Sequence, residues 1–251
     1  MILGPDGNKM SKSFGNVISP QPIVDRFGAD AARCYVLVIG PPDQDAAWAD
    51  TGIEGVHRRL LGRLWRLADE LITDLDGIGP DTSAQPSNPT GDGLTIVRKA
   101  HWAIDKVTRD MLGRFAFNTA ISAIIELINE IYRYPQADPQ ARRFATATAA
   151  SLVFPFAPHL GAEAYEMLTG RRVWGEPWPD ADPDLLQTET FQLVCQVNGK
   201  VRDRVSAPTG ASNEELERLC LDSRGVQSHL DGQQIAKVIV VPDKLVNVVV
   251  R

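Results

Sequence analysis

Only three cysteines, Cys34, Cys195 and Cys220, occur in the 251 residues. They are far apart, odd in number and outside any C-x-x-C spacing, which excludes a disulfide framework or a cysteine-based zinc site. Three buried, reduced thiols are expected. Histidine is almost as scarce, with only His57, His101, His159 and His229, and none of His57, His101 and His229 has a nearby nucleophile or carboxylate partner that would make a catalytic set. No apolar run reaches the length that crosses a bilayer, and residues 1–20 lack the apolar segment of a secretory signal. A cytoplasmic protein without a membrane partner is the expectation. Positive charge is not in excess either. A formal net charge of −6 excludes a uniformly basic nucleic-acid binder, so any RNA contact must rest on locally placed lysines and arginines. At 43% apolar residues, the chain has enough to build ordinary globular cores.

Against these absences stands Lys9-Met10-Ser11-Lys12-Ser13, followed at once by Phe14-Gly15-Asn16. Two lysines in a loop flanked by Gly4, Gly7 and Gly15 can close on a polyphosphate, because glycine lowers the cost of loop movement. Fixed positive charge helps most where negative charge develops in a transition state. Ser11 and Ser13 add short hydrogen-bond donors beside the lysines.

Downstream, proline and glycine punctuate a series of helices. A short helix is expected at 22–27, and a second after Asp30 as N-cap, stopped by Gly40-Pro41-Pro42. Thr51-Gly52-Ile53-Glu54 has the form of a capping box opening a long amphipathic helix with apolar residues from Ile53 to Leu75. Residues 76–93 read as a loop. Three more helices, at 94–112, 117–134 and 140–153, and a last one ending near Gly170, are joined by short connections, as in an antiparallel bundle. After the aromatic and proline-rich strap 174–179 the apolar period changes to two. Phe191–Val197 and Lys200–Val205 flank Asn198-Gly199, which supplies the positive φ angles of a type I′ hairpin. A short helix at 213–221 and Val-rich strands at 235–241 and 245–250 complete a small α+β domain.

The Lys9–Ser13 string resembles the KMSKS signature of class I aminoacyl-tRNA synthetases. Ala47-Trp48-Ala49-Asp50-Thr51-Gly52-Ile53-Glu54-Gly55, Phe117-Asn118-Thr119-Ala120 and Phe156-Ala157-Pro158-His159-Leu160 resemble the tRNA-binding bundle of bacterial leucyl-tRNA synthetases. Gln196-Val197-Asn198-Gly199-Lys200-Val201-Arg202-Asp203 is similar to the hairpin of that family's C-terminal domain. The resemblance implies a mostly α chain in four parts: the signature loop and stem-contact region at 1–45, a helical bundle of the anticodon-binding-domain fold at 46–178, a linker at 179–188, and a C-terminal α+β tRNA-contact domain at 189–251. It also implies ATP-dependent ligation of leucine to tRNA(Leu) through leucyl-adenylate. Mg²⁺ would accompany the nucleotide, with no protein-bound metal in this chain and no DNA partner.

By the same resemblance Lys12 is the ATP-binding lysine and Lys9 a supporting charge, with Ser11 and Ser13 beside them. Arg58 and Arg63, which recur with Arg59 and Arg66 along one helix, are candidate tRNA contacts. So are Lys200, Arg202 and Arg204, whose alternation along one strand is expected to place them on one face, and Lys237 and Lys244, with Arg251 close by. Basic and acidic residues balance in this last segment, so a basic face there needs an acidic one elsewhere. A capping or packing role is expected for His159, and core or strap packing for Trp48, Trp65, Trp102, Trp174 and Trp178. No His-x-Gly-His string, the family's other ATP signature, occurs, so the isolated chain is expected to be inactive without an N-terminal catalytic half. The alternative reading is a freestanding tRNA-binding module without catalysis.

Overall fold

In a computed structural model of the protein, all residues are described except 42, 74–83, 114, 187–189, 209–210, 231–234, 243 and 251. Pro42, Leu75, residues 76–83 of the expected loop, the last two linker residues, Glu189 and Arg251 therefore lie outside the described residues. The chain divides into two compact units, Met1–Leu186 and Gln187–Arg251.

Prolines and glycines set the helix ends of the first unit. A two-residue strand β1 (Ile2–Leu3) lies parallel to β2 (Ala46–Ala47), pairing Ile2 with Ala46 and Leu3 with Ala47. Between them run α1 (Pro20–Phe27), with proline in its first turn, and α2 (Ala29–Val38), which starts at Gly28 with φ of 83°. The N-cap of α2 is thus Gly28 rather than Asp30. Asp30 instead accepts hydrogen bonds at the start of a distant helix, α8 (Pro158–Thr169), from the His159 and Leu160 backbone N–H groups at 3.4 and 2.7 Å. Those N–H groups have no partner within their own helix, and a buried carboxylate satisfies them from across the fold. The exposed His159 contributes its Nδ1 at 2.8 Å to an oxygen of the same carboxylate, so it braces the capping Asp30 instead of packing or capping itself.

The long helix is interrupted where an unbroken one was expected. It opens as α3 (Asp50–Val56) with Ala49 as N-cap, so Thr51 already lies inside the first turn and the expected capping box does not form. A π-helical turn, His57–Leu61, follows, in which the Gly62 N–H bonds the His57 carbonyl five residues back, and α4 (Gly62–Thr73) continues from it. The extra residue re-phases the apolar stripe. As a result Leu60 and Leu61 are both buried, while Arg58 and Arg59 are both exposed.

The bundle is built on α5 (Gly91–Leu112), α6 (Phe117–Arg133), α7 (Pro139–Val153) and α8, packed with α4. The links at 113–116, 134–138 and 154–157 are too short for anything but antiparallel neighbours. Leu64, Leu67 and Leu71 meet Ile96, Ala100 and Ile104 and the fully buried Ile121, Ile124, Leu127, Ile128 and Ile131 in one core. Helix α7 is buried on nearly all sides and reads Ala-Thr-Ala-Thr-Ala-Ala; its small side chains admit close neighbours, and Thr146 and Thr148 turn their hydroxyls to the carbonyls four residues back. Arg142 reaches Glu70 at 2.9 Å, and the buried Arg143 donates twice to the Leu168 carbonyl at the C-terminal end of α8. A 3-10 turn, Val173–Gly175, and the four-residue α9 (Pro183–Leu186) close the unit.

In the second unit β3 (Thr190–Val197) and β4 (Lys200–Pro208) form the expected hairpin, with φ of 48° at Asn198 and 76° at Gly199. Two helices follow, α10 (Asn213–Leu221) and α11 (Arg224–Leu230), then β5 (Ile235–Val241) and β6 (Leu245–Val250). The strand order is β4-β3-β6-β5, with β3 and β6 parallel at the centre and antiparallel edges. Leu216 and Cys220 of α10 and Val226 of α11 pack on Leu193, Cys195, Val197, Val246 and Val248, so both helices cover the same face.

Candidate functional site

The lysine loop is a folded-back segment. The Gly4 N–H donates to the Asn8 carbonyl at 2.8 Å, Gly7 N–H to the Gly4 carbonyl at 2.9 Å, and Leu3 and Lys9 form an antiparallel bridge. Lys12–Phe14 makes a single 3-10 turn. Ser11 caps it by accepting from the Ser13 N–H, and Gly15 ends it with a positive φ of 69°. Lys9 and Lys12 are exposed, and among the described residues no carboxylate lies within ion-pair distance of either ammonium. Ser11 and Ser13 are less free than expected: their hydroxyl oxygens lie 2.7 Å apart and bond each other.

Two residues to which the sequence reading gave no role organise this loop. Asn16 Oδ1 accepts from the Ser11 N–H at 2.8 Å, while its Nδ2 donates to the Lys9 carbonyl at 3.2 Å and to the Asp6 carboxylate at 3.2 and 3.3 Å. Asp6 is held in turn by the Asn8 N–H at 3.1 Å and Asn8 Nδ2 at 3.2 Å. These bonds, with that from the Asn8 backbone foremost, hold the Asp6 carboxyl below its ordinary range. The available signal was the Asp6-Gly7-Asn8 turn chemistry and an Asn placed directly after a left-handed glycine.

The candidate phosphate contacts of the bundle separate into two kinds. Arg58 and Arg59 project from the π-turn and, with Thr51, Glu54 and Gly55, line a polar hollow; Glu54 itself pairs with Arg26 at 2.9 Å. Arg63 is committed within the bundle: its guanidinium hydrogen-bonds Asn129 and lies 4.4 Å from the centre of the Tyr132 ring.

In the small unit the expected single basic face is not formed. A register shift between Cys195 and Gln196 leaves Arg202 as an extra, bulged residue, so Lys200 lies opposite Val197 while Arg204 lies opposite Val194. Val197 is buried on the helix-covered face and Val194 points to the other, so Lys200 and Arg204 project to opposite sides. Arg202 is half-buried, and its Nε has no hydrogen-bond partner. The bulge turns Asp203 under α11, where its carboxylate accepts from the Gly225 N–H at 2.9 Å. A Cβ on Gly225 would stand 2.3 Å from the Arg202 carbonyl oxygen, so only glycine fits there. Lys237 pairs with Val249 and shares the helix-free face with Arg204, from the opposite edge strand; Lys244 is exposed in the turn before β6.

The tryptophans mostly follow the packing expectation. Trp48 is buried edge-on against Tyr35, the Lys99 ammonium sits 3.2 Å from the centre of the half-buried Trp102 ring, and Trp178 donates to Thr108 at 2.8 Å. Trp174 rests on Phe154 but is 58% exposed, and Trp65 lies at the rim of a hollow with Phe27, Asp30 and His159. All three thiols are free and buried, and burial pushes the Cys34 thiol up to about 12. Among the described residues no group of three or more His, Cys, Asp or Glu is placed to hold a metal ion, and no helix is long and apolar enough to cross a membrane.

Residues 94–217 match the family described as the anticodon-binding domain of tRNA ligase, and residues 1–49 match tRNA synthetases class I (I, L, M and V). Among curated proteins, the leucine--tRNA ligase of Nitratidesulfovibrio vulgaris is 41% identical over 98% of the chain, and that of Thermotoga maritima 39% over 98%. The chain spans about 30% of the length of either. Among solved structures, the LeuRS of Agrobacterium radiobacter in a ternary complex with tRNA and LeuAMS superposes on all of the chain with a TM-score of 0.76 and 32% identity; the match takes in 33% of that protein. The methionyl-tRNA synthetase of Mycobacterium tuberculosis, with methionyl-adenylate, shares the fold over 66% of the chain at a TM-score of 0.54 and 23% identity.

Proposed function

We propose, from the premise that the chain is homologous along its length to the C-terminal part of leucyl-tRNA synthetases, that it supplies the ATP-phosphate loop and the tRNA-binding surfaces of such an enzyme. The completed enzyme joins leucine to tRNA(Leu) by way of leucyl-adenylate. The observation that carries this reading is the pair of exposed lysines, Lys9 and Lys12, on a loop whose backbone is hydrogen-bonded into shape. Their charge meets the α-phosphate and the departing pyrophosphate as the adenylate forms, where fixed charge lowers the barrier most.

Among the described residues no group of three or more His, Cys, Asp or Glu is placed to hold the Mg²⁺ expected with the nucleotide. Asp6, the only acidic residue before Asp25, has its oxygens engaged by Asn8 and Asn16. For tRNA, Arg58 and Arg59 on the π-turn and Arg204 and Lys237 on the helix-free sheet face are the contacts the geometry favours, with Lys200 and Lys244 at the sheet's ends; Arg63 is already spent on Asn129 and Tyr132. A half-site cannot by itself hold ATP and leucine in reacting geometry, so activity requires an N-terminal catalytic half.

The test is leucylation of tRNA by the purified chain, alone and mixed with a candidate N-terminal half, with tRNA binding measured in parallel. Leucylation only in the mixture supports the reading. Binding of tRNA with no leucylation in either tube would favour a tRNA-binding module without catalysis.

A further inference from the structure

We propose that Asn16 is a positioning residue for both lysines of the loop, and that its carboxamide, oriented by Asp6, forms a clasp that sets the backbone from Lys9 to Lys12. The proposal rests on the reading of Lys9 and Lys12 as phosphate contacts.

One carboxamide meets one carbonyl, one N–H and one carboxylate, and only one orientation satisfies all three. The oxygen faces the Ser11 N–H, and the two N–H groups face the Lys9 carbonyl and Asp6. Through Lys9 the clasp fixes the first lysine directly. Through Ser11 it fixes the second, because Ser11 caps the 3-10 turn that begins at Lys12. Asp6 cannot swing away, being held by Asn8, whose own carbonyl accepts from Gly4. The space is closed on its remaining side: a Cβ on Gly4 would lie 2.7 Å from Asp6 Oδ1, 3.1 Å from Asn16 Nδ2 and 3.3 Å from the Asn16 carbonyl. Asn16 carries no charge and Asp6 turns its carboxylate onto the Asn8 and Asn16 donors, so both act through the backbone that carries the lysines. Pre-ordering the lysines removes loop entropy that binding would otherwise have to overcome.

The substitution Asn16→Asp keeps the shape of the side chain and reverses its chemistry, setting an acceptor against the Lys9 carbonyl and a second negative charge against Asp6. Adding Asp6→Asn to that variant restores a donor opposite the new carboxylate. The measurements, all on the 251-residue chain, are amide exchange at Ser11 and NMR titration with inorganic tripolyphosphate. In N16D the new carboxylate still accepts from the Ser11 N–H, but the lost donor bonds to Lys9 and Asp6 let the loop open, so the Ser11 amide is expected to exchange about tenfold faster, the range of one lost net hydrogen bond. Tripolyphosphate affinity should fall several-fold, roughly half to one decade, and D6N/N16D, which restores the contact between positions 6 and 16 but not the bond to the Lys9 carbonyl, should recover part of both. Thermal unfolding of the bundle should not change.

Wild-type tripolyphosphate affinity in N16D, with or without faster exchange at Ser11, would overturn the proposal, as would failure of the double variant to recover either quantity. The two layers fail separately. A Lys12→Ala chain that binds tripolyphosphate as the wild type does would strike the phosphate reading of the loop, whereas a Ser11 amide unprotected in the wild type would strike the clasp itself.

Discussion

A single side chain often decides what its neighbours can do, and His101 is a clear case. It is almost fully buried on α5, stacked on Phe144; its Nδ1 accepts from the Asp182 N–H at 3.0 Å, so Nε2 carries the proton and donates to Gln85 at 2.9 Å. Burial pulls the imidazole below its ordinary value of 6.5, only partly opposed by the charge of Asp182. The unfolded chain therefore binds a proton that the folded chain refuses. Stability is fully present above pH 6.5 and falls as the pH drops from there towards the lowered folded value. Urea titrations at pH 7.5 and 5.5 should show that loss in the wild type and a smaller one in His101→Gln. At Lys12 the expected effect is on chemistry instead. In the enzyme completed with its N-terminal half, Lys12→Ala should lower ATP–pyrophosphate exchange by about 10²-fold or more, the scale of one lost transition-state contact. Its melting temperature should stay that of the wild type.

Elements were legible in the sequence where one local signal determined them. The Asn198-Gly199 turn, the strands at 235–241 and 245–250 and the helix at 213–221 follow from period and turn chemistry alone, as do the apolar stripes of α5 and α6. What could not be read was set by partners distant in sequence. Asp30 looks like a local cap because Asp is a good cap, yet the nearest unsatisfied N–H groups with room for it belong to α8, more than a hundred residues on. The apolar spacing of 53–71 fits an uninterrupted helix as well as one with a π-turn, so the sequence offered no sign of the register change. Likewise Lys200, Arg202 and Arg204 alternate in sequence, and only the bulge at Arg202 separates them in space. That bulge should be costly to disturb. Gly225→Ala forces a methyl onto the Arg202 carbonyl and should destabilise the small unit by about 1–3 kcal/mol, the usual range for overpacking. Loss of hydrogen-exchange protection along β4 and α11 would report it. In the bundle, Ile124→Ala at a fully buried site should cost about 2–5 kcal/mol in chemical denaturation.

At the scale of the whole molecule, a net charge of −6 means that any affinity for tRNA must come from a few well-placed cations working against a repulsive average. Binding should then weaken steeply with salt. Each phosphate contact removed should flatten the slope of log K against log[salt] by roughly one unit or slightly less. If Arg204 and Lys237 touch the backbone together, Arg204→Ala and Lys237→Ala should each flatten it by that amount and the double variant by twice as much. An unchanged slope would remove the helix-free face from the tRNA-binding surface.

The hairpin turn also has a chemical lifetime. An Asn-Gly bond is prone to succinimide formation, in which the glycine nitrogen attacks the asparagine side chain, yet here both groups are occupied. The Gly199 N–H is held by Asn247 Oδ1 at 2.9 Å, and the Asn198 carboxamide bridges the N–H and carbonyl of Val250. Native structure therefore slows the ageing of Asn198. Where the reaction does occur, the aspartate it leaves would lose its bond to the Val250 carbonyl and set a negative charge in its place, so that spontaneous chemistry at one turn loosens the end of a central strand.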